Sequence, residues 1–160
     1  MVRIDKLTDY GLVLLTCMAR SHAVDLRTAR DLAVESGVPL PTVSRLLQSL
    51  LRGGLLVSHR GTKGGYALAK DPSEISIESV IAILEGPVAL TVCSTGEAGS
   101  CDFEARCTIK NNQRVINDAI RGVLRRLTLS DLMQPLELMT IKDAGGRAVP
   151  VVGLGPRRIQ

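Results

Sequence analysis

The sequence predicts a mainly α-helical chain: a winged helix-turn-helix with a small two-stranded wing, followed by a long C-terminal dimerisation helix. Three observations predict it. Two short helical patterns are joined by a turn of about four residues, which is helix-turn-helix spacing. A glycine-punctuated hairpin follows the second pattern directly. An apolar fraction of 45% contains only 2% aromatics, so the core must be built from Leu, Ile, Val and Ala, which favours helices.

Asp9 to about Arg20 is apolar nearly all round and reads as a buried helix, with Thr8 as its cap and Cys17 in its core. Thr28-Ala-Arg-Asp31 matches a capping box and opens a short second helix that Gly37 ends. In "VPLPTVSRLLQSLLRGG", Pro41 suits a first helical turn, and Val43, Leu46, Leu47 and Leu50 form one apolar face. The opposite face offers Thr42, Ser44, Arg45, Gln48, Ser49 and Arg52. Leu55 to Ser58 and Tyr66 to Ala69 read as the wing strands, with Arg60 and Lys63 on a glycine-rich tip. "GTKGG" faintly resembles a phosphate loop, but a phosphate loop feeds a helix, and a strand follows here.

Ser76 caps a helix running to Glu85, with Gly86 past its end. Residues 87–108 are a loop with three of the four cysteines. Ile109 to Leu127 is a long amphipathic helix with Val115, Ile116, Ala119, Ile120, Val123, Leu124 and Leu127 on a broad apolar stripe. The stripe suits packing on a second copy, or on the same chain. Ser130 to Leu138 suits a short helix. The organisation is therefore a DNA-binding domain at 1–86, a cysteine loop at 87–108, a dimerisation helix region at 109–138 and a flexible, Gly- and Pro-bearing tail at 139–160.

Charge is unevenly spread. The net +4 divides into +5 over residues 1–70, −6 over 71–107 and +5 over 108–160. Ser36 to Lys70 contains no acid at all, which points to a polyanion partner. One Phe and two Tyr are too few to stack single-stranded bases, so double-stranded DNA is the expected partner. Arg45 suits a bidentate guanine contact and Gln48 an adenine edge. Thr42 and Ser44 suit phosphates, and Thr28 and Arg52 lie on the flanks of the same unit. Arg60 and Lys63 suit a flanking minor groove. No membrane-spanning run or secretory signal is visible, and the chain reads as cytoplasmic. No Ser/His/Asp set, HExxH or other catalytic pair is present, so neither an enzyme nor a small-molecule substrate is expected.

"VCSTGEAGSCDFEARC" places Cys93, Cys101 and Cys107 among polar residues, where a core role does not explain them. The spacing is neither a zinc ribbon nor a standard ferredoxin run. Three thiolates suit one face of an iron–sulfur cluster; a zinc site and a metal-free thiol switch remain open on chemistry alone. His22 and His59 read as surface residues.

"KLTDYG", "RGTKGGYALAK" and the three-cysteine loop together resemble the IscR/NsrR-type iron–sulfur winged-helix transcription regulators over about residues 1 to 135. "LEGPVALTVC", "SC", "ARC" and "INDAIRGVLRRLTLSDL" are most similar to the branch that regulates SUF-type cluster assembly. The resemblance implies a homodimer paired through the long helix, a promoter palindrome read by helix and wing, and a cluster held by Cys93, Cys101 and Cys107. It implies regulation, as a repressor, of cluster-assembly genes, or else a nitric-oxide-responsive repressor. Two features depart from IscR-like members. Lys110 stands where they carry a histidine, and the first cysteine gap is longer. Asp9 matches the aspartate that NsrR-like members take from the partner subunit. A [2Fe–2S] cluster is expected ahead of [4Fe–4S].

Overall fold

The computed structural model describes residues 4–20, 26–61, 63–95, 101–142, 145 and 147–153. Helix α1 (Lys6–Arg20) begins earlier than the sequence predicts. Thr8 is not its cap: it is fully buried inside the helix, and its hydroxyl has no hydrogen-bond partner among the described residues. Asp5 stands at the helix start instead, its carboxylate accepting from the Lys6 amide at 2.7 Å and its carbonyl from the Thr8 amide at 2.9 Å. Gly11 faces Leu84, and a Cβ there would lie 2.4 Å from the leucine Cδ1, so a larger residue would require the leucine side chain to shift.

Helices α2 (Ala29–Ser36) and α3 (Leu40–Arg52) form the helix-turn-helix. The Thr28–Asp31 capping box is present in both directions, and Gly37 takes the left-handed conformation at φ 71°. In α3, Val43, Leu46, Leu47 and Leu50 are buried as the periodicity requires. They join Leu14, Leu15, Met18, Leu32, Ile75, Val80 and Leu129 in one core. Each such side chain contributes about 1.5–3 kcal/mol by leaving water.

Strands β1 (Leu56–His59) and β2 (Gly65–Leu68) pair antiparallel, Leu56 with Leu68 and His59 with Gly65. Both sit one residue from the expected spans. Leu55 is not in the ladder because its amide bonds back to Leu50, closing the end of α3. The wing is fastened to the helix-turn-helix by a bridge between Arg27 and Tyr66.

Helix α4 (Ile77–Leu84) is capped by Ser76, and Gly86 follows it at φ 100°. Two 3-10 turns, Val92–Ser94 and Glu104–Arg106, punctuate the cysteine loop. Helix α5 (Lys110–Arg126) leads to α6, which spans only Leu129–Leu132 rather than the expected 130–138. A capping box at Thr128 and Asp131 starts α6 and closes it against the main chain of Ile75.

Strands β3 (Glu137–Lys142) and β4 (Ala148–Gly153) form a hairpin where a flexible tail is expected. Gly145 lies in the turn, and Pro150 is tolerated because each strand of a two-stranded sheet is an edge.

Candidate nucleic-acid interface and cysteine loop

Burial of one face of α3 dictates what the other face presents. Pro41, Arg45, Gln48 and Arg52 are exposed in a row at i, i+4, i+7 and i+11, with Thr42 and Ser44 half-buried along its border. Arg45, Gln48 and Arg52 thus form one stripe opposite the core. On the wing, Arg60 and Lys63 are exposed, and Gly61 turns the tip at φ 125°. Thr28 is exposed at the start of α2, but its hydroxyl donates to Asp31 Oδ2 at 2.7 Å and accepts from the Asp31 amide. The Thr28 hydroxyl and amide hold the Asp31 carboxyl below the usual range. Thr28 is first a cap; its exposed position leaves it beside the interface.

Two residues outside the sequence-derived set shape this unit. Arg27 pairs with Glu35 of α2 by its side chain. Its main chain bridges Tyr66, giving and receiving hydrogen bonds at 2.9 and 2.8 Å. Gly65 lets β2 approach that closely. A glycine next to Tyr66 in "KGGYAL" was the available signal.

Cys17 is buried, as its apolar neighbours require. Burial pushes its thiol up, and the neighbouring Glu35 carboxylate adds to the effect, so it remains a protonated core side chain. Cys93, Cys101 and Cys107 are free and half-buried. Cys93 lies in the first 3-10 turn, 3.2 Å from the Thr91 hydroxyl, and that turn packs on α5. Cys107 stands just before α5, its carbonyl accepting from the Lys110 amide. Among the described residues, no three His, Cys, Asp or Glu side chains are gathered closely enough to hold a metal ion. The donor set nevertheless fits an iron–sulfur cluster in kind: three soft thiols, with one position left over. Asp9 is exposed in the first turn of α1, available to a second copy. His59 is exposed on the wing, and His22 lies outside the described residues.

Helix α5 joins this loop to the DNA-binding unit through polar contacts. Asn117 is 3% exposed, and its Oδ1 accepts from the Leu90 amide at 3.1 Å. Arg121 and Arg125 donate to Glu78 of α4 at 2.8 and 2.9 Å. The Arg125 hydrogen bond holds the Glu78 carboxyl below its ordinary range; burial opposes this, and the Arg121 bond adds to it. Most apolar residues of α5 turn the other way, while Leu124 and the edge residue Ile120 border a cleft against α4. Val115 is 68% and Ile116 49% exposed, and Ala119, Ile120 and Val123 share that outer side. The spacing Arg121-x3-Arg125, one helix face apart from an acid in the first turn of α4, was the legible hint of the clamp.

No described helix is long and apolar enough to cross a membrane. The family described as Rrf2, iron-dependent transcriptional regulator, matches residues 4–135. The HTH-type transcriptional regulator IscR of Vibrio campbellii is 31% identical over 144 residues, covering 86% of this chain and 83% of its own. IscR of Serratia proteamaculans is 33% identical over 113 residues, 71% of this chain and 68% of its own. Among solved structures, the chain is similar to CymR (YrzC), the global cysteine regulator of B. subtilis. The TM-score is 0.65 at 27% identity, over 83% of this chain and 97% of that one. It is also similar to T. potens IscR, with a TM-score of 0.63 at 25% identity over 82% and 86% of the two chains. These relatives are named as regulators, not enzymes.

Proposed function

Because this chain belongs to the Rrf2 family and is a DNA-binding transcription regulator, we propose that its loop cysteines report iron–sulfur cluster status to the promoter. Cys93, Cys101 and Cys107 hold the cluster, with Asp9 of a second copy as the fourth ligand and [2Fe–2S] as the preferred form. The cluster supplies a bound group whose presence depends on iron supply and oxidants. The protein pairs as a homodimer through the outward apolar stripe of α5, and two copies of α3 enter successive major grooves one helical turn apart. Arg45 and Gln48 read base edges, Thr42, Ser44, Arg52 and Thr28 hold the backbone, and Arg60 and Lys63 follow the groove beside it. The target is a palindrome before SUF-type cluster-assembly genes, which the protein represses.

One observation carries this reading. The turn holding Cys93 packs on α5, and α5 is clamped by Glu78 to the DNA-binding unit. Ordering of the loop thus bears on the angle between two recognition helices. A coupling of about 1–3 kcal/mol changes affinity about 5–150-fold.

The test is anaerobic purification followed by a visible spectrum, iron and sulfide analysis, and DNA titration. A brown protein bleached by Cys93→Ala, Cys101→Ala or Cys107→Ala, with altered promoter affinity, supports the reading. A bleached variant that binds the promoter like the parent sinks it.

A metal-free thiol switch is the second reading. The free, half-buried thiols of Cys93, Cys101 and Cys107 favour it. It requires a colourless protein whose DNA affinity follows thiol oxidation.

A further inference from the structure

We propose that Asn117 is the positioning residue through which the cysteine loop acts on α5, an inference that rests on the cluster-sensing reading above. Asn117 and Thr8 are the two buried polar side chains among the described residues. Asn117 Oδ1 accepts from the Leu90 amide across 27 residues of sequence. Leu90 stands three residues before Cys93, in the half-buried segment that follows Gly86.

Two physical facts make this more than packing. A buried amide costs about 1–3 kcal/mol unless hydrogen-bonded, and leucine, of the same branched shape though larger, fills an apolar contact without that cost. A buried polar pair instead selects one register, as a lone Asn does between coiled helices. The segment it holds also borders a half-open cleft. The cleft, of about 320 Å³, is lined by residues 86–90 together with Ile4, Ile81, Ile120 and Leu124. Close packing therefore does not fix the main chain from that side, and the directional bond to Asn117 does.

The same helix face continues to Arg121 and Arg125 at i+4 and i+8, the two partners of Glu78. One face of α5 thus bonds to the loop at Asn117 and to the DNA-binding unit one and two turns later. When the loop rearranges around its cysteines, the Leu90 amide moves relative to Asn117, and α5 turns against α4.

The test uses the full chain, prepared apo and after anaerobic cluster reconstitution. Hydrogen exchange at the Leu90 amide and promoter affinity are measured in both forms, for the parent and for Asn117→Leu. In the parent, Leu90 is protected in one form and exchanges faster in the other. In Asn117→Leu, protection is lost in both, cluster content is retained, and the ratio of the two affinities shrinks toward one from its value of about 5–150-fold. If Asn117→Leu keeps the parental ratio, the inference is overturned and the sensing function stands. If the parent itself binds DNA equally with and without the cluster, the sensing function fails first and the inference with it. If Asn117→Leu does not fold, parental exchange decides: equal Leu90 protection in both forms overturns the relay.

Discussion

Gly65 is pressed against Arg27: a Cβ at residue 65 would stand 2.8 Å from the Arg27 carbonyl oxygen. The next amide, Tyr66, donates to that same oxygen at 2.8 Å. The wing is therefore tied to the root of the helix-turn-helix by main chain, beside the packing of Leu56 and Leu68 in the core, and its aim depends on a missing side chain.

Gly65→Val opens this bridge. The expected cost is about 1–3 kcal/mol of stability, the usual range for a forced overlap. A denaturant midpoint reads it. DNA affinity falls as well, because Arg60 and Lys63 lose their placement. A variant with parental midpoint and affinity would show that the wing is held by something else.

Arg45 and the wing cations separate by mechanism. Arg45→Ala is expected to lose about 1–3 kcal/mol of binding at its own site and relax the preference at one base pair. Arg60→Ala and Lys63→Ala weaken all sequences alike and each lower the salt slope by about one. Affinity measured at several salt concentrations, on cognate and scrambled duplexes, distinguishes the two.

Glu78 predicts an acid limb. Its folded pKa lies below the ordinary carboxylate value of 4.5. The clamp to Arg121 and Arg125 is thus fully present above that value and is lost as pH falls through the folded pKa. Glu78→Gln lowers Tm by a few degrees at neutral pH and leaves a flatter decline in acid. The effect stays modest because the Arg125 side chain is 64% exposed. Equal acid slopes in parent and variant would remove the clamp from the account.

The outer stripe of α5 predicts self-association. Ile116→Asp with Val123→Asp yields a monomer by sedimentation, at concentrations where the parent is a dimer, and weakens promoter binding. A parent that sediments as a monomer contradicts the homodimer directly.

Thr8 predicts a gain. Its hydroxyl is buried without a partner among the described residues, so Thr8→Val, of the same shape, removes an unmet polar group. Stability rises by about 1 kcal/mol or more. A loss would reveal a partner for that hydroxyl.

Much of this molecule was legible because its signals are local. The Thr28–Asp31 box, the left-handed Gly37, the Ser76 cap and the Val43–Leu50 face each need only a few neighbouring residues to act. The exposed stripe of Arg45, Gln48 and Arg52 followed from the core stripe by elimination. The direction of α5 was not legible. Periodicity finds its apolar face but not the neighbour, and here the tethering side is built from Asn117 and Arg121 while Val115, Ile116 and Val123 face out. The 137–153 hairpin was missed because Gly and Pro marked the turn and concealed the alternation on either side. The cysteines stand out in the sequence by their clustering in a polar loop, yet their mutual geometry depends on contacts no local pattern encodes.

Under the proposed pairing of two copies, the outward stripe on α5 also makes gene dosage a thermodynamic variable. A folded copy without a partner leaves Val115, Ile116, Ile120 and Val123 in water. Association removes that penalty, so the folded population grows with the number of copies in the cell. When synthesis falls, the loss is compounded. Fewer copies leave a larger share unpaired, unpaired copies open more often, and proteases clear those that open. Promoter occupancy would then fall more steeply than protein abundance, and the proposed dimer would give the regulator a threshold in its own concentration.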